Sequence, residues 1–139
     1  MSRPRRGLLV VDASAVVAAL GPPDPKAEWA VQTMAGKRTI TTQLLPFEVA
    51  AALRNMQLKG SIDTATASSA HRDLQSLPVE FWPHRLLAER AWALRESVTY
   101  YDACYIALAE KLGAPLLTLD RRLARAPGPR CEILTPPQA

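Results

Sequence analysis

Four acidic residues stand inside apolar segments of this 139-residue chain: Asp12 in LLVVDASA, Glu48 in LLPFEVAAAL, Asp102 in TYYDACYIALAE and Asp120 in PLLTLDRR. An ionised carboxylate is costly in an apolar setting unless a cation or a set of donors compensates it. Four such costs in one small protein suggest a shared partner, and a divalent metal ion is the simplest. Clustered carboxylates also repel, which raises their pKa values unless a cation sits among them. All-oxygen ligands suit Mg²⁺ or Mn²⁺, one or two ions, bound through a few carboxylates with several waters retained. Such ions orient a phosphodiester, activate a water for in-line attack and stabilise the leaving oxygen.

The elements that must position these acids follow from local patterns. Leu8–Asp12 is a short apolar run, β-branched towards its end, which suits a strand buried on both faces. A helix over Ser14–Leu20 stops at Gly21-Pro22-Pro23, and Asp24-Pro25 starts another that continues to about Ala35. Thr39–Thr42 offers a second strand. Leu44–Leu58 has helical periodicity and closes at Gly60, and Asp63 caps a helix to about Leu77. Val79–Trp82 is a strand candidate, and His84–Ser97 and Tyr100–Leu112 are helix candidates. Thr99 caps the last of these and Gly113 closes it. Leu116–Leu119 reads as a strand, Arg121–Arg125 as a short helix and Glu132–Leu134 as a last strand. Strands alternating with helices predict an α/β fold of three layers, a mostly parallel central sheet with helices on both faces. With no repeat and no long linker, residues 1–139 are expected to form a single domain.

Within this frame Asp12 and Asp120 each end a strand, where open α/β sheets form their binding crevices. An acid there is equally a common helix N-cap, and both readings are open for Asp12. Asp102 shares a helix face with Ile106 and Ala109, with Tyr105 beside it, so it should face the protein body. Following Thr99 by three, it is also placed for the acidic half of a capping box. Glu48 edges the stripe Leu45, Val49, Ala52 and Met56; taken alone it reads as a partner of Lys59 or Arg54. Ser14 and Thr118, each two residues from a strand-end acid, could hold metal-bound waters or satisfy backbone.

Bulk properties exclude rather than identify. Apolar residues make up 48% and charged residues 22%, an ordinary globular balance, and the net charge of +4 leans towards a polyanionic partner. No segment approaches bilayer-spanning length, and VVDAS reads as a strand end rather than a cleavage site, so the cytoplasm is the expected location. Cys104 and Cys131 lack metal-ligand spacing; a reduced, buried thiol is expected at Cys104. His71 and His84 lie far in sequence from the acidic motifs, which leaves a histidine general base unsupported and suggests surface positions for both.

The ordered blocks VVDASA, PFEVAAAL, TYYDACYIALAE and LLTLDRRL resemble the PIN-domain ribonucleases, and within them the VapC-type toxins of bacterial toxin–antitoxin pairs. The resemblance runs from about Leu8 to Leu134. It implies that Asp12, Glu48, Asp102 and Asp120 form the Mg²⁺/Mn²⁺ site, with Ser14 and Thr118 in support. It also implies endonucleolytic RNA cleavage, homodimerisation, and inhibition by a cognate VapB-type antitoxin. Residues 60–82 match none of these blocks.

Arg121, Arg122 and Arg95 are candidate RNA-phosphate contacts because the guanidinium fork suits phosphate, although each also reads as a solvated surface residue. Arg3, Arg5 and Arg6 form a basic N-terminal arm that could follow a phosphate backbone. Trp29, Phe47 and Met56 could line a groove for a partner helix, with core packing the expected fate of Phe47 and Met56. Two rivals remain: a catalytically silent RNA- or protein-binding module, and a phosphatase-like enzyme. The second lacks the D-x-D nucleophile pattern at Asp12-Ala13-Ser14.

Overall fold

A computed structural model describes residues 7–138, so the basic arm of Arg3, Arg5 and Arg6 lies outside the described residues. Five parallel strands form one sheet: β1 (Leu8–Val11), β2 (Arg38–Thr42), β3 (Val79–Trp82), β4 (Leu116–Leu117) and β5 (Ile133–Leu134). Their spatial order is β3-β2-β1-β4-β5. Seven α-helices connect and cover them: α1 (Ala13–Leu20), α2 (Pro25–Met34), α3 (Leu45–Leu58), α4 (Thr64–Gln75), α5 (Ala88–Ala93), α6 (Tyr100–Leu112) and α7 (Arg121–Arg125). This is the three-layer α/β architecture expected from the alternation of strand and helix patterns.

Placement within the sheet follows apolar content. The unbroken run Leu9, Val10 and Val11 is buried and occupies the central strand, whereas β3 exposes Glu80 and Phe81 at an edge. Thr41 on β2 is fully buried and donates to the Val11 carbonyl at 2.8 Å, so its hydroxyl is satisfied. Helix α6 lies against β1, β2 and β4 and packs on α5. Seven consecutive residues, Ala103 to Ala109, are buried along it, as expected of a helix covered nearly all round. Thr99 accepts from the Asp102 N–H at its start, and Gly113, at φ +63°, ends it in the left-handed conformation that glycine adopts freely.

Two elements depart from the sequence expectation. The predicted helix over His84–Ser97 is instead a 3₁₀ turn, His84–Leu86, followed by the short α5. Leu87 joins the two, its N–H closing the 3₁₀ turn on His84 and its carbonyl accepting from Ala91, and the N–H groups of Ser97 and Val98 both fold back onto the Leu94 carbonyl. The predicted strand Leu116–Leu119 is shorter, ending at Leu117: Thr118 N–H still bonds the Leu134 carbonyl at 3.0 Å, and the donors after it leave the ladder. Leu119 N–H bonds the Ser14 hydroxyl at 2.9 Å and Asp120 N–H bonds the Thr118 hydroxyl at 3.1 Å.

Both cysteines are free. Burial pushes the Cys104 and Cys131 thiols up to about 11, which leaves them protonated and unreactive near neutral pH. Both histidines are exposed, and among the described residues no helix is long and apolar enough to cross a membrane.

Candidate active site

The strand order reverses its direction of growth between β1 and β4, and this is where an open parallel sheet leaves a crevice at its carboxyl edge. Asp12 follows β1 and Asp120 follows shortly after β4, so both strand-end acids belong to this switch point. Asp12 is only 5% exposed. Its Oδ1 accepts the Ser14 hydroxyl at 2.7 Å and the Ala15 N–H at 3.0 Å, which makes it the N-cap of α1. The capping reading therefore holds, without removing the functional one: a capping carboxylate is fixed in place.

Ser14 joins the two strand ends. Its hydroxyl donates to Asp12, accepts from Leu119 N–H and lies 3.3 Å from the Thr118 hydroxyl. Thr118 is fully buried and holds the Asp120 N–H. The two hydroxyls expected to assist the site thus knit β1 to β4 and restrain both acids.

Glu48 lies in the first turn of α3, half-buried. Its ion-pair reading with Lys59 or Arg54 is not realised; the Tyr105 hydroxyl donates to Glu48 Oε1 at 2.7 Å instead. Tyr105, 1% exposed on α6, is the functional neighbour that sequence reasoning missed. The available signal was a tyrosine in an otherwise aliphatic, buried stretch, three residues beyond Asp102. Buried hydroxyls of that kind find a partner.

The electrostatics place the acids in one another's field. Asp12 is raised above its ordinary pKa chiefly by burial, against hydroxyl bonds from Thr118 and Ser14, with the Asp102 charge adding to the rise. Glu48 is raised by burial and then by the charges of Asp102 and Asp12, while the Tyr105 bond lowers it. Asp102 is raised by burial and by Asp120, with Thr99 opposing. Asp120 alone is held low, first by its hydrogen bonds with Arg122. The Arg122 guanidinium spans both of its oxygens, Nε to Oδ1 at 3.0 Å and Nη2 to Oδ2 at 2.9 Å.

A cleft of about 480 Å³ is lined by Asp102, Asp120, Arg122 and Arg95. Asp12 and Glu48 do not line it; Asp12 is buried and Glu48 is held against Tyr105. Of the other candidate phosphate contacts, Arg121 is occupied, donating to the carbonyls of Pro136 and Pro137 at 3.0 Å each. It fastens the C-terminal tail. Arg95 lies with its guanidinium 4.5 Å from the centroid of the Trp92 ring. Phe47, expected in the core, is 77% exposed because it sits at the free face of the first turn of α3, while Leu45 and Val49 point inwards. Met56 and Trp29 are partly buried against the core.

The donors at the site are all oxygen, the chemistry of a hard divalent cation. Three carboxylates are raised by burial, each with the charge of another acid adding to the rise, a repulsion that a cation would relieve. Among the described residues, no three His, Cys, Asp or Glu side chains form a ready-made cage.

The PIN-domain family model matches residues 9–129. The chain belongs to the PIN-domain family. Ribonuclease VapC1 of Mycobacterium tuberculosis is 43% identical over 125 residues, covering 89% of this chain and 94% of that protein. These matches make the chain a VapC-type PIN domain. Among solved structures, PAE2754 from Pyrobaculum aerophilum aligns at TM-score 0.68 with 26% identity, over 92% of this chain and 86% of that one. M. tuberculosis VapC20, described as a sarcin–ricin loop cleaving toxin, aligns at 0.64 with 20% identity over 84% and 94%. VapBC2 from Rickettsia felis, solved with a promoter DNA fragment, aligns at 0.62 with 11% identity over 92% and 98%. The last two likenesses concern the fold alone.

Within this PIN domain Arg122 would compete with any cation that bound at Asp120. Arg122 is largely exposed and its ion pair is screened, so displacing it would cost little. Arg122→Ala is expected to raise Mg²⁺ affinity by roughly two- to fivefold in a calorimetric titration. An unchanged affinity would mean that Asp120 takes no part in binding the ion.

Proposed function

We propose that this chain is a Mg²⁺- or Mn²⁺-dependent endoribonuclease that hydrolyses RNA phosphodiester bonds as the toxin of a toxin–antitoxin pair. One observation carries the reading: Asp12, Glu48 and Asp102 are raised by burial and linked by one another's charge, beside a sheet switch point with Asp120 at its rim. A bound Mg²⁺ or Mn²⁺ ion, one or two per site, would supply charge neutralisation at phosphorus and an activated water for in-line attack. Asp12 and Asp102 are the proposed direct ligands, with Glu48 and Asp120 binding directly or through water.

The chain's own residues then have distinct tasks. Ser14 and Ala15 N–H hold the Asp12 carboxylate in one orientation, and Thr118 restrains the loop that carries Asp120. Tyr105 fixes Glu48 and stays protonated, since burial and Glu48 raise its phenol far above the usual value; it donates and cannot act as a base. Arg95 and Arg122, both lining the cleft, are placed to meet RNA phosphate. The name Ribonuclease VapC1, at 43% identity, supports ribonuclease activity, and a VapB-type antitoxin is the proposed partner. We further propose a cytoplasmic homodimer of single-domain protomers.

The test is cleavage of structured RNA by purified protein with Mg²⁺, comparing wild type with Asp12→Asn and Asp102→Asn. Loss of cleavage in both variants is the expected result. Equal activity in all three proteins sinks the metal assignment, whereas absence of metal binding by calorimetry with RNA binding intact favours a silent binding module.

A further inference from the structure

Beside the acidic cleft the protein keeps a large ring in water. Trp92, on α5, is 60% exposed, an unusual position for a residue that gains so much from burial. The Arg95 guanidinium lies 4.5 Å from its ring centroid, and Arg95 Nη1 donates to the Trp92 carbonyl at 2.8 Å, so the pair is held as one unit. Arg95 is also a wall of the cleft that contains Asp102 and Asp120. The stack and the acids are therefore neighbours. Tyr101, adjacent to Asp102 in the first turn of α6, is a second exposed ring at 56%.

From this arrangement we infer that the Trp92–Arg95 pair is a stacking platform for an unpaired nucleobase of the RNA substrate, next to the scissile phosphodiester. The inference rests on the ribonuclease reading and adds a subsite and a substrate class to it. Nucleobases stack on aromatic rings and on guanidinium planes alike, and that contact tolerates any base. Arg95 gives the platform a charge opposite to the RNA backbone, and Arg122 supplies a second cation across the same cleft. A paired base in an A-form helix hides its face within the stack, so the platform selects looped or single-stranded RNA. A purely apolar protein partner would have no use for a guanidinium on the ring.

The experiment uses full-length protein in EDTA, where no cleavage occurs. Its probes are a fluorescein-labelled single-stranded RNA 12-mer of mixed sequence and the matching duplex. Fluorescence anisotropy is expected to show single-strand affinity falling about tenfold in Trp92→Ala and largely retained in Trp92→Phe, with duplex affinity nearly unchanged. RNA binding should quench intrinsic tryptophan fluorescence in wild type, and Trp92→Phe should remove that quenching while Trp29 and Trp82 remain. Equal single-strand affinity in wild type and Trp92→Ala overturns the platform. So does a Trp92→Ala protein whose altered gel-filtration mass marks the ring as a protein interface. Wild-type cleavage with Mg²⁺, run in parallel, separates the two readings: cleavage with no Trp92 effect removes only the platform, whereas neither binding nor cleavage removes both.

Discussion

Asp12→Asn is expected to abolish Mg²⁺-dependent RNA cleavage and, in the same protein, to raise the melting temperature measured in EDTA. The two effects have one cause. Asp12 is buried with its charge incompletely compensated in the metal-free fold, and Asp102 worsens its position. Asparagine keeps an acceptor oxygen for the Ser14 hydroxyl and the Ala15 N–H, so the α1 cap survives, but it carries no charge to desolvate. Relief of this kind is worth about 1 kcal/mol, or a few degrees in Tm for a domain of this size. A neutral amide is a far weaker ligand for a hard cation, and activity should fall by at least about a hundredfold.

The pH dependence follows with a definite sign. Asp12, Glu48 and Asp102 have folded pKa values raised above 3.8, 4.5 and 3.8 respectively, so the folded state binds their protons more tightly than the unfolded one. Metal-free stability should therefore rise as pH falls through the raised values towards the ordinary ones, and decline again at lower pH. There Asp120, held below its ordinary value by Arg122, loses its partner's stabilisation. Thermal melts in EDTA across this range check it. A wild-type curve with no gain in stability on acidification, or an Asp12→Asn protein less stable than wild type, would contradict the account.

Tyr105→Phe should cost both stability and metal affinity without touching any proposed ligand. Removing the hydroxyl leaves Glu48 half-buried with its 2.7 Å donor gone. A hydrogen bond to a charged group contributes about 1.5–3 kcal/mol, and part of that loss should appear as a lower Tm. Without the bond Glu48 becomes easier to protonate and freer to move, since the Tyr105 hydroxyl now opposes its raised pKa. Cleavage is expected to fall roughly ten- to a hundredfold at low Mg²⁺, as for other groups that orient metal ligands, and to recover as Mg²⁺ is raised. Recovery distinguishes positioning from a folding defect. No change at any Mg²⁺ concentration would leave Tyr105 as core packing only.

The local grammar of the chain was legible without coordinates. Asp24, Asp63 and Thr99 cap the helices they were expected to cap, Gly113 ends α6, and β3 occupies Val79–Trp82 as read. Caps, turns and apolar runs act over a few residues, so a one-dimensional pattern contains them. The broken helix after His84 was not legible, because the 3₁₀ turn and α5 divide within a run of good helix formers that has no proline or glycine to mark the place. The exposure of Phe47 was equally hidden, since which face of the first turn of α3 meets the core is settled by its neighbours.

By itself the sequence determined that four acids must be compensated, that two of them end strands of a parallel sheet, and that their order matches PIN-domain ribonucleases. Only the tertiary structure decided who accompanies each acid. It gave Asp12 to Ser14 and Ala15, Glu48 to Tyr105 across 57 positions of chain, and Asp120 to Arg122. It also turned Arg121 to the tail and set Trp92 and Arg95 beside the cleft. The physical reason is range. Desolvation of a carboxylate is a property of its own segment, whereas the donor that offsets it comes from whichever distant segment the packing brings within hydrogen-bond reach.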